Sequence, residues 1–318
     1  MKLLRFAERH TDSGRVWAVE DCRHVSGGLE RFLLRAGETV IRVPPKLMAN
    51  ARRGARTFAK SDSIDALAVA RAWLREPELP QARLAGPERE IALLIDYRAD
   101  LVDESRRLQT RVRWLLHDLD PELAPADRGL RNEGVLRPLA LKLARREQTA
   151  QVRVCRDRIR RLRELTRQIK QLERELAPLV AKHGAPLLEI AGCGLVTAAR
   201  LLAEIGHIDR FNTDAQLAIY AGAAPLDASS GKQRRHRLNR TGNRQLNSAL
   251  HVIALTQVRI HPGARDYIAR RRSEGKTSAE AIRALKRHLA RGIFRVFKAM
   301  AAAAPTPDQT ITPTISLT

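Results

Sequence analysis

The sequence predicts an α/β region followed by a longer region of helices, an α/β plus α fold class. Two short runs rich in β-branched and aromatic residues, 15–19 and 39–43, are separated by a helical stretch and tight turns, as in a strand–helix–strand unit. From residue 88 onwards, apolar residues recur every three or four positions over long stretches, which is the period of a helix. The 318 residues suffice for two domains with separate cores.

An excess of basic residues dominates the composition. The chain carries 58 Lys and Arg against 35 Asp and Glu, a formal net charge of +23, and its sequence pI is near 11.2. Such an excess favours a polyanionic partner, and nucleic acid is the commonest one. No apolar run is long enough to span a bilayer, and charged residues interrupt the N-terminus where a signal peptide would need an apolar core. With three scattered cysteines that lack metal-ligand spacing, the composition predicts a cytoplasmic nucleic-acid protein with no membrane partner.

The α/β region begins with a strand at 15–19 that ends at Glu20. A Gly-Gly pair at 27–28 leads into a predicted helix at 29–36, and a second strand follows at 39–43. A strand–helix–strand unit with short turns implies a right-handed crossover and parallel strands. Functional side chains in such sheets lie at the carboxyl ends of the strands, which is the position of Glu20.

Two aspartates, Asp62 and Asp65, open a predicted helix after this unit, with Lys60 just before them. Residues three apart on a helix are neighbours, so both carboxylates share one face. Close carboxylates repel unless a cation lies between them, and Mg²⁺ prefers oxygen ligands of this kind. The alternative is a helix cap, with Asp62 capping and Asp65 favouring the helix dipole. The sequence leaves both interpretations open.

A spacer separates this region from the C-terminal part of the chain. After a Pro-bounded linker at 77–87, two long helices are predicted at 88–119 and 136–180. Their apolar stripe, flanked by Arg and Glu, is typical of a coiled coil or long helical hairpin that serves as a spacer or dimerisation arm. The predicted domains are the α/β region, the spacer, a helical C-terminal domain and a disordered tail, at 1–76, 88–180, 184–302 and 303–318.

A Gly-x-Gly turn, Gly192 and Gly194, follows an apolar helix and precedes another one at 198–205. This arrangement resembles the hairpin of a helix-hairpin-helix module. There the turn allows backbone N–H groups at a helix N-terminus to approach a phosphate. Both glycines are therefore candidate nucleic-acid contacts.

A basic loop follows, in which Ser229 and Ser230 precede a glycine and no acid occurs between residues 230 and 244. A serine beside glycine can attack a phosphodiester while arginines stabilise charge on the phosphoryl oxygens. The alternative is a Ser/Gly turn that only positions a phosphate-binding strip. Aromatic residues make up 4% of the chain, so phosphate contacts should outweigh base stacking. The candidate nucleic-acid residues of this loop and its end are Lys232, Arg234, Arg235, Arg237, Arg240 and Arg244.

Taken together, these pieces resemble the DEDD transposases of bacterial insertion sequences, which are regarded as bridge-RNA-guided serine recombinases. Each piece is weak alone, but they occur in the family's order over nearly the whole chain. The matching pieces are Trp17–Glu20, Lys60 to Ala66, the helical spacer, Ile190 to Gly194, Ala203 to Gly206, Arg210 and Phe211, Tyr220 to Gly222, Pro225, Ser230 to Lys232, and Gly242 to Arg244.

The resemblance implies an N-terminal RuvC-like domain of ribonuclease-H type, with a four-carboxylate Mg²⁺ site. Glu20, Asp62 and Asp65 match the second, third and fourth of those acids. It also implies a mostly helical C-terminal domain whose nucleophile matches Ser230, with Ser229 as the other possibility. The implied partners are DNA, a guide (bridge) RNA and further copies of the chain, associated through the coiled coil.

The chain departs from the family pattern before Glu20, because an apolar strand carrying the first acid is not found there. We therefore expect the first strand of the catalytic domain to be missing, which would remove a metal ligand and expose a sheet edge. Three functions follow: a transposase or site-specific recombinase with a serine nucleophile, a metal-dependent nuclease of junction-resolving type, and a catalytically defective remnant that binds nucleic acid.

Overall fold

The computed structural model describes most of the chain. The described residues are 2–9, 15–21, 23–45, 47–48, 62–76, 79, 81–84, 86–125, 129–227, 236–237 and 242–303. The chain forms two compact units, Met1–Gly86 and Pro87–Thr318. Of the predicted tail at 303–318, the structure describes Ala303 alone.

The first unit is a small α/β unit whose two strands are parallel, as the sequence predicts. Val16 pairs with Thr39 and Glu20 with Val43, so the two strands run in register over their full length. The helix between them provides the crossover that parallel strands need. The elements are α1 (Lys2–Glu8), β1 (Val16–Glu20), α2 (Arg23–Arg35), β2 (Thr39–Val43) and α3 (Asp62–Arg75).

Polar contacts join both strands to the crossover helix α2 and to the turn that follows it. Glu38 accepts hydrogen bonds from Arg15 and from the indole N–H of Trp17, the latter at 2.7 Å. The Arg15 guanidinium holds the pKa of the Glu38 carboxyl below its usual value. On the other strand, Arg42 donates to Glu30 of α2 at 2.6 and 2.7 Å. The first strand is thus tied to the turn after the crossover helix, and the second strand is tied to the helix itself.

Helix α2 begins earlier than predicted. The sequence placed its start at residue 29, after the Gly27-Gly28 pair, but the helix already begins at Arg23. Glycine inside a helix costs about 1 kcal/mol relative to alanine, so it weakens a helix without ending it. Ser26 uses its hydroxyl in this first part of the helix to donate to the backbone carbonyl of Glu20 at 3.2 Å.

In its described residues, the second unit consists of helices, short turns and one short β-pair. Its helices are α4 (Pro87–Leu119), α5 (Glu133–Ala144), α6 (Ala150–Leu188), α7 (Leu195–Ile205), α8 (Asp214–Tyr220), α9 (Arg244–Ile260), α10 (Pro262–Ser273) and α11 (Ser278–Ala303). Between α8 and α9, β3 (Leu226–Asp227) pairs antiparallel with β4 (His236–Arg237). Short 3-10 turns lie at Pro121–Leu123, Gly129–Arg131 and Ile208–Arg210.

The spacer is a helical hairpin of α4 against α6, joined by α5. The prediction of one continuous helix over 136–180 is wrong. The structure has two helices there, since α5 ends at Ala144 and α6 starts at Ala150. Thr149 causes the new start, since its hydroxyl accepts from the N–H of Val152 and caps α6. The apolar stripe of α6 is buried within the chain: Val152, Cys155, Ile159, Leu162, Leu165, Leu172 and Leu176.

Helix α7 forms the centre of the C-terminal core. It packs against α4, α6 and α9, and Ala198, Leu201 and Ile205 on it are fully buried. Gly184 interrupts the helical geometry of α6 close to where the spacer was expected to end, and its Cα faces Leu202 of α7. Within the part of the chain that the structure describes, no helix is long and apolar enough to cross a membrane.

Two of the three cysteines are buried and free, as small core side chains. Burial raises the pKa of the Cys155 and Cys193 thiols to about 11. The nucleophilic thiolate is therefore scarce at neutral pH. Cys22 lies outside the described residues.

Candidate functional site

The N-terminal carboxylates lie on two elements that pack together. Glu20 is the last residue of β1 and is half-buried, beside Val43 of the neighbouring strand. Asp62 and Asp65 form the first turn of α3, with Asp62 exposed and Asp65 half-buried. Helix α3 contacts both strands of the sheet. One face of α3 therefore covers the sheet whose carboxyl end carries Glu20.

These carboxylates have the ligand chemistry that Mg²⁺ prefers, but the structure does not gather them into a complete cage. In the described ranges, no group of three or more His, Cys, Asp or Glu side chains lies close enough to hold a metal ion. The pair on α3 is the part of the site that the backbone fixes, because residues three apart on a helix are neighbours. Oδ1 of Asp65 is shielded from solvent, whereas Asp62 is open to it. Lys60 lies outside the described residues.

In the second unit, the Gly-x-Gly turn forms a hairpin between α6 and α7 that is packed against α9. Gly192 has a φ of +83°, and a Cβ built on it would stand 3.0 Å from Cβ of Thr256 and 3.1 Å from the carbonyl oxygen of Ile253. Gln257 of α9 also donates to the Ala191 carbonyl at 2.9 Å. Glycine at 192 is thus required by the backbone and by close packing.

Gly194 has a different environment. It is the N-cap of α7 in an extended conformation, and a Cβ built on it meets no atom within 4 Å. The first N–H groups of a helix lack partners within the helix and form a natural anion site. The absence of a side chain at this cap leaves room for a phosphate to approach them.

We expect Gly192→Ala to destabilise the chain far more than Gly194→Ala. The first change forces a Cβ into the left-handed region and against α9, at a cost of about 1–3 kcal/mol. The second changes an N-cap with open space around it, at about 1 kcal/mol or less. Urea unfolding of the two variants measures both costs. If Gly194→Ala destabilised as strongly as Gly192→Ala, the assignment of Gly192 as the packing residue would be wrong.

The two ends of the basic loop meet at a close backbone contact. A Cβ built on Gly242 would lie 2.3 Å from the backbone nitrogen of Gly222, so only glycine fits there. The N–H of Asn243 donates to the Tyr220 carbonyl at 2.7 Å. The loop that contains the serines therefore starts and ends at one place, between the C-terminus of α8 and the N-terminus of α9.

Asn243 is the centre of the contacts at this place. Its Oδ1 accepts from the N–H of Leu246 at 2.9 Å and caps α9. Its Nδ2 donates to Glu204 Oε2 at 2.7 Å and to the Tyr220 hydroxyl at 3.1 Å. One turn later, Asn247 Nδ2 donates to the Ala221 carbonyl at 2.7 Å.

A buried arginine extends this network into the core. Arg200 of α7 is 8% exposed, and its guanidinium contacts Asp96 of α4 and, at 3.1 Å, Glu204. On the other side of Tyr220, Arg210 stacks on its ring at 4.5 Å and on the Phe211 ring at 4.8 Å. These polar and stacking contacts connect several of the separate sequence pieces at the root of one loop.

The sequence did not assign a role to Arg200, Glu204, Tyr220 or Asn243. Three of them stand in pieces that were used only to recognise the family resemblance. The signal that could have identified Arg200 is a charged residue within the apolar helix 195–205, which must find a partner when it is buried. Its partner at Asp96 is 104 residues away in the chain, so sequence spacing gives no pointer to it.

Most of the predicted loop residues lie outside the described part of the chain. Arg237 belongs to β4 and Arg244 is the exposed first residue of α9. By chain order, both serines fall in the eight residues between the paired strands β3 and β4. The predicted residues outside the described ranges are Ser229, Ser230, Lys232, Arg234, Arg235 and Arg240.

Comparison with known proteins places both regions in one family. A family model described as Transposase, for DEDD transposases of the IS110 group, matches residues 2–121. A second, described as Transposase IS116/IS110/IS902 family, matches residues 184–269 and so covers the hairpin and the loop root.

Similarity to individual proteins extends over most of the chain for two relatives and over a shorter part for a third. The insertion element IS110 uncharacterized 43.6 kDa protein of Streptomyces coelicolor is 30% identical, over 76% of this chain and 71% of that protein. The insertion element IS116 uncharacterized 44.8 kDa protein of Streptomyces clavuligerus is 27% identical, over 93% and 86%. The pilin gene-inverting protein of Moraxella bovis is 32% identical over 38% of this chain and 40% of that protein. The chain belongs to the IS116/IS110/IS902 family of DEDD-type insertion-element transposases.

Proposed function

We propose that this transposase cuts and rejoins DNA with the hydroxyl of Ser230 as nucleophile. The observation that carries the proposal is the fixed root of the loop between α8 and α9. A hydrogen-bonded network around Asn243 and a glycine contact hold both ends of the loop in one place. Positioning of a nucleophile and its phosphate-binding groups accounts for much of the rate that an enzyme provides. A loop that only bound nucleic acid non-specifically would not need so rigid a root.

In the proposed reaction, Oγ of Ser230 attacks a phosphorus of the DNA backbone. An Oγ–P bond forms, one backbone P–O bond breaks, and the departing DNA oxygen takes up a proton while the serine hydroxyl loses one to solvent. Arg234, Arg235 and Arg237 stabilise the charge that develops on the phosphoryl oxygens. A hydroxyl from a second DNA end then attacks the serine-linked phosphorus, restores a DNA phosphodiester and frees the serine. The number of phosphate-ester bonds stays constant, so a nucleotide cofactor is not needed.

We further propose that Asp62 and Asp65 hold Mg²⁺. Glu20, the third predicted carboxylate, stands on a strand that α3 contacts but is not grouped with the pair closely enough to share a metal ion in this structure. The all-carboxylate donor set and the packing of α3 on the sheet support this assignment. When bound, Mg²⁺ would neutralise phosphate charge on a nucleic-acid strand at the N-terminal unit. The residues themselves provide the negative charge and the orientation of the pair on one helix face.

For nucleic-acid binding, the proposed contacts are the hairpin at Gly192 and Gly194 and the basic loop with its flanks. Lys60, Lys232, Arg240 and Arg244 complete this set of basic residues. DNA is the proposed substrate, and a guide RNA is the proposed second nucleic acid. The excess of basic residues over the whole chain supports a polyanionic partner, because it exceeds what solubility requires.

The proposed homo-oligomer needs a surface other than the apolar stripe of α6. That stripe is already buried inside the helical hairpin, as Ile159 and Leu162 illustrate. Large apolar side chains that stay exposed on the spacer include Trp114 of α4, at 71%, and Leu141 of α5, at 55%. An association through the spacer would therefore use exposed residues of this kind.

The alternative function is a metal-dependent nuclease of junction-resolving type, in which the carboxylates activate water and Ser230 takes no part. The adjacent acids on α3 favour this alternative. It differs from the recombinase in its products, because hydrolysis leaves free DNA ends whereas serine attack leaves an end joined to protein.

The experiment is to incubate the chain with DNA carrying the ends of its own insertion element and matching RNA, with Mg²⁺ or with EDTA. Products are separated on denaturing gels before and after proteinase treatment. We expect a DNA product that migrates slowly before proteinase treatment and faster after it, because one of its ends is covalently bound to the protein. Cut DNA with free ends would support the nuclease instead, and uncut but bound DNA would support a non-catalytic protein.

A further inference from the structure

A cluster of arginines from two helices surrounds one histidine on the C-terminal unit. The ring of His288 on α11 contacts the ring of Tyr267 on α10 edge-on, with centroids 5.1 Å apart. Arg270 and Arg271 of α10 lie over the Tyr267 ring at 5.4 and 5.2 Å. On α11, Arg287 directly precedes the histidine and Arg291 follows it by three positions. The His288 cluster is defined as Tyr267, Arg270, Arg271, Arg287, His288 and Arg291.

The acids near this cluster do not balance its charge. Arg271 pairs with Glu274 at 2.7 Å, and Asp214 pairs with Arg291 at 2.7 Å and Arg287 at 3.7 Å. Four guanidiniums thus face two carboxylates, and the surrounding stretch 259–298 has twelve Lys and Arg against three acids. Arg270 is exposed and makes its contact with a ring rather than with a carboxylate in the described structure.

The positive charge of these arginines acts on the imidazole of His288, whose side chain stays accessible to solvent. Its side chain is exposed, and its ring meets that of Tyr267 edge-on. Partial burial holds the pKa of His288 below its usual value, and Arg291, Arg271, Arg287 and Arg270 lower it further. The arginines of both helices therefore act on one point of the surface.

We propose that the His288 cluster is a second phosphate-binding surface for nucleic acid, separate from the hairpin and from the basic loop. Guanidinium groups match phosphate oxygens in pairs, and an aromatic ring between them can hold them in place. The ring contacts place both guanidiniums over Tyr267 in the free chain. A phosphodiester backbone fits this surface because it presents a row of single negative charges, whereas the cluster offers four guanidiniums on two neighbouring helices against two carboxylates.

The opposite face of α10 provides a matched control. Arg265 and Arg272 are seven residues apart, so they share a helix face, and both are exposed. The test compares Arg270→Ala/Arg271→Ala with Arg265→Ala/Arg272→Ala, which remove equal charge from the same helix. Both pairs are made in the full chain carrying Ser230→Ala, so that strand chemistry cannot affect the binding and the proposed serine role is not tested here.

Binding is measured against duplex DNA, a structured RNA hairpin and polyglutamate over a range of salt concentrations. We expect the first pair to weaken nucleic-acid binding roughly ten-fold for each lost contact. Its salt slope on duplex DNA should fall by roughly one unit per contact, while the control pair changes neither quantity. Loss on DNA alone or on RNA alone identifies which nucleic acid occupies the surface. Equal effects of both pairs, no effect of the first pair, or loss confined to polyglutamate would overturn the proposal.

A second measurement does not depend on removing Arg271, which also contacts the Tyr267 hydroxyl at 3.1 Å. A bound phosphodiester offsets the arginine charges and stabilises the protonated imidazole, so it should raise the pKa of His288. Histidine Hε1 shifts followed by NMR against pH, with and without duplex DNA or the RNA hairpin, report this change. We expect a rise in the chain with intact arginines and a smaller rise with Arg270→Gln. An unchanged His288 titration under saturating nucleic acid would contradict the proposal.

Discussion

Replacing Ser230 with alanine is expected to abolish covalent protein–DNA products and to leave DNA binding nearly unchanged. The substitution removes the attacking oxygen but none of the cationic groups of the loop. Removal of a nucleophile in enzymes that form covalent intermediates lowers the rate by three or more orders of magnitude. The measurement is the amount of adduct on a denaturing gel, compared with the affinity for the same DNA in a gel-shift titration.

Ser229→Ala is the matched control, because it removes a hydroxyl one residue away in the same loop. We expect this variant to keep its adduct, with a moderate loss of rate from the changed turn. Loss of adduct with Ser229→Ala and its retention with Ser230→Ala would assign the nucleophile to Ser229. Full DNA cutting by both variants would support the metal-dependent nuclease.

Asp62→Asn and Asp65→Asn are expected to remove the response of the chain to Mg²⁺. Each change deletes one of two charges that the first turn of α3 places side by side. In the proposed site, each variant loses DNA cutting by a factor on the order of 10² or more, as loss of a well-placed charge at a catalytic centre does. The measurement is the reaction rate as a function of Mg²⁺ concentration, with Glu90→Gln in the first turn of α4 as control.

Stability provides a readout of this site that is independent of activity. Mg²⁺ that binds the folded chain stabilises it by RT ln(1 + [L]/Kd), so the melting temperature of the unaltered chain should rise with Mg²⁺. The two Asn variants should lose this rise. If the aspartates only favour the helix dipole, each variant loses about 0.3–1 kcal/mol with or without Mg²⁺. An equal loss in both conditions would rule out the metal site.

Local sequence patterns predicted the elements of the α/β unit well. The strand–helix–strand order with short turns predicted two parallel strands, and the structure confirms them with Glu20 at a carboxyl end. The start of α2 at Arg23 was not predicted, because a Gly-Gly pair is typical of a turn, whereas Gly27 and Gly28 lie inside the helix. The break before α6 was missed because the helical period continues on both sides of Thr149 and only its capping bond reveals the start.

The root of the basic loop was not predictable in the same way. Tyr220 and Asn243 are 23 residues apart, and their hydrogen bonds depend on how α8 and α9 pack rather than on any spacing in the sequence. The contact between Gly222 and Gly242 likewise arises from tertiary structure, so each glycine alone reads as an ordinary turn. Family resemblance identified these residues as a set, and the hydrogen bonds and the glycine contact give the physical reason for the set.

The central claim is that Ser230, in the loop between α8 and α9, supplies the atom that bonds to DNA. The most direct measurement is mass spectrometry of the peptide that remains linked to a nucleotide after the adduct is digested with protease and nuclease. The proposed function predicts a phosphodiester on the hydroxyl of Ser230. A nucleotide on Tyr220 or on Thr241, or a DNA end without any linked peptide, would contradict it.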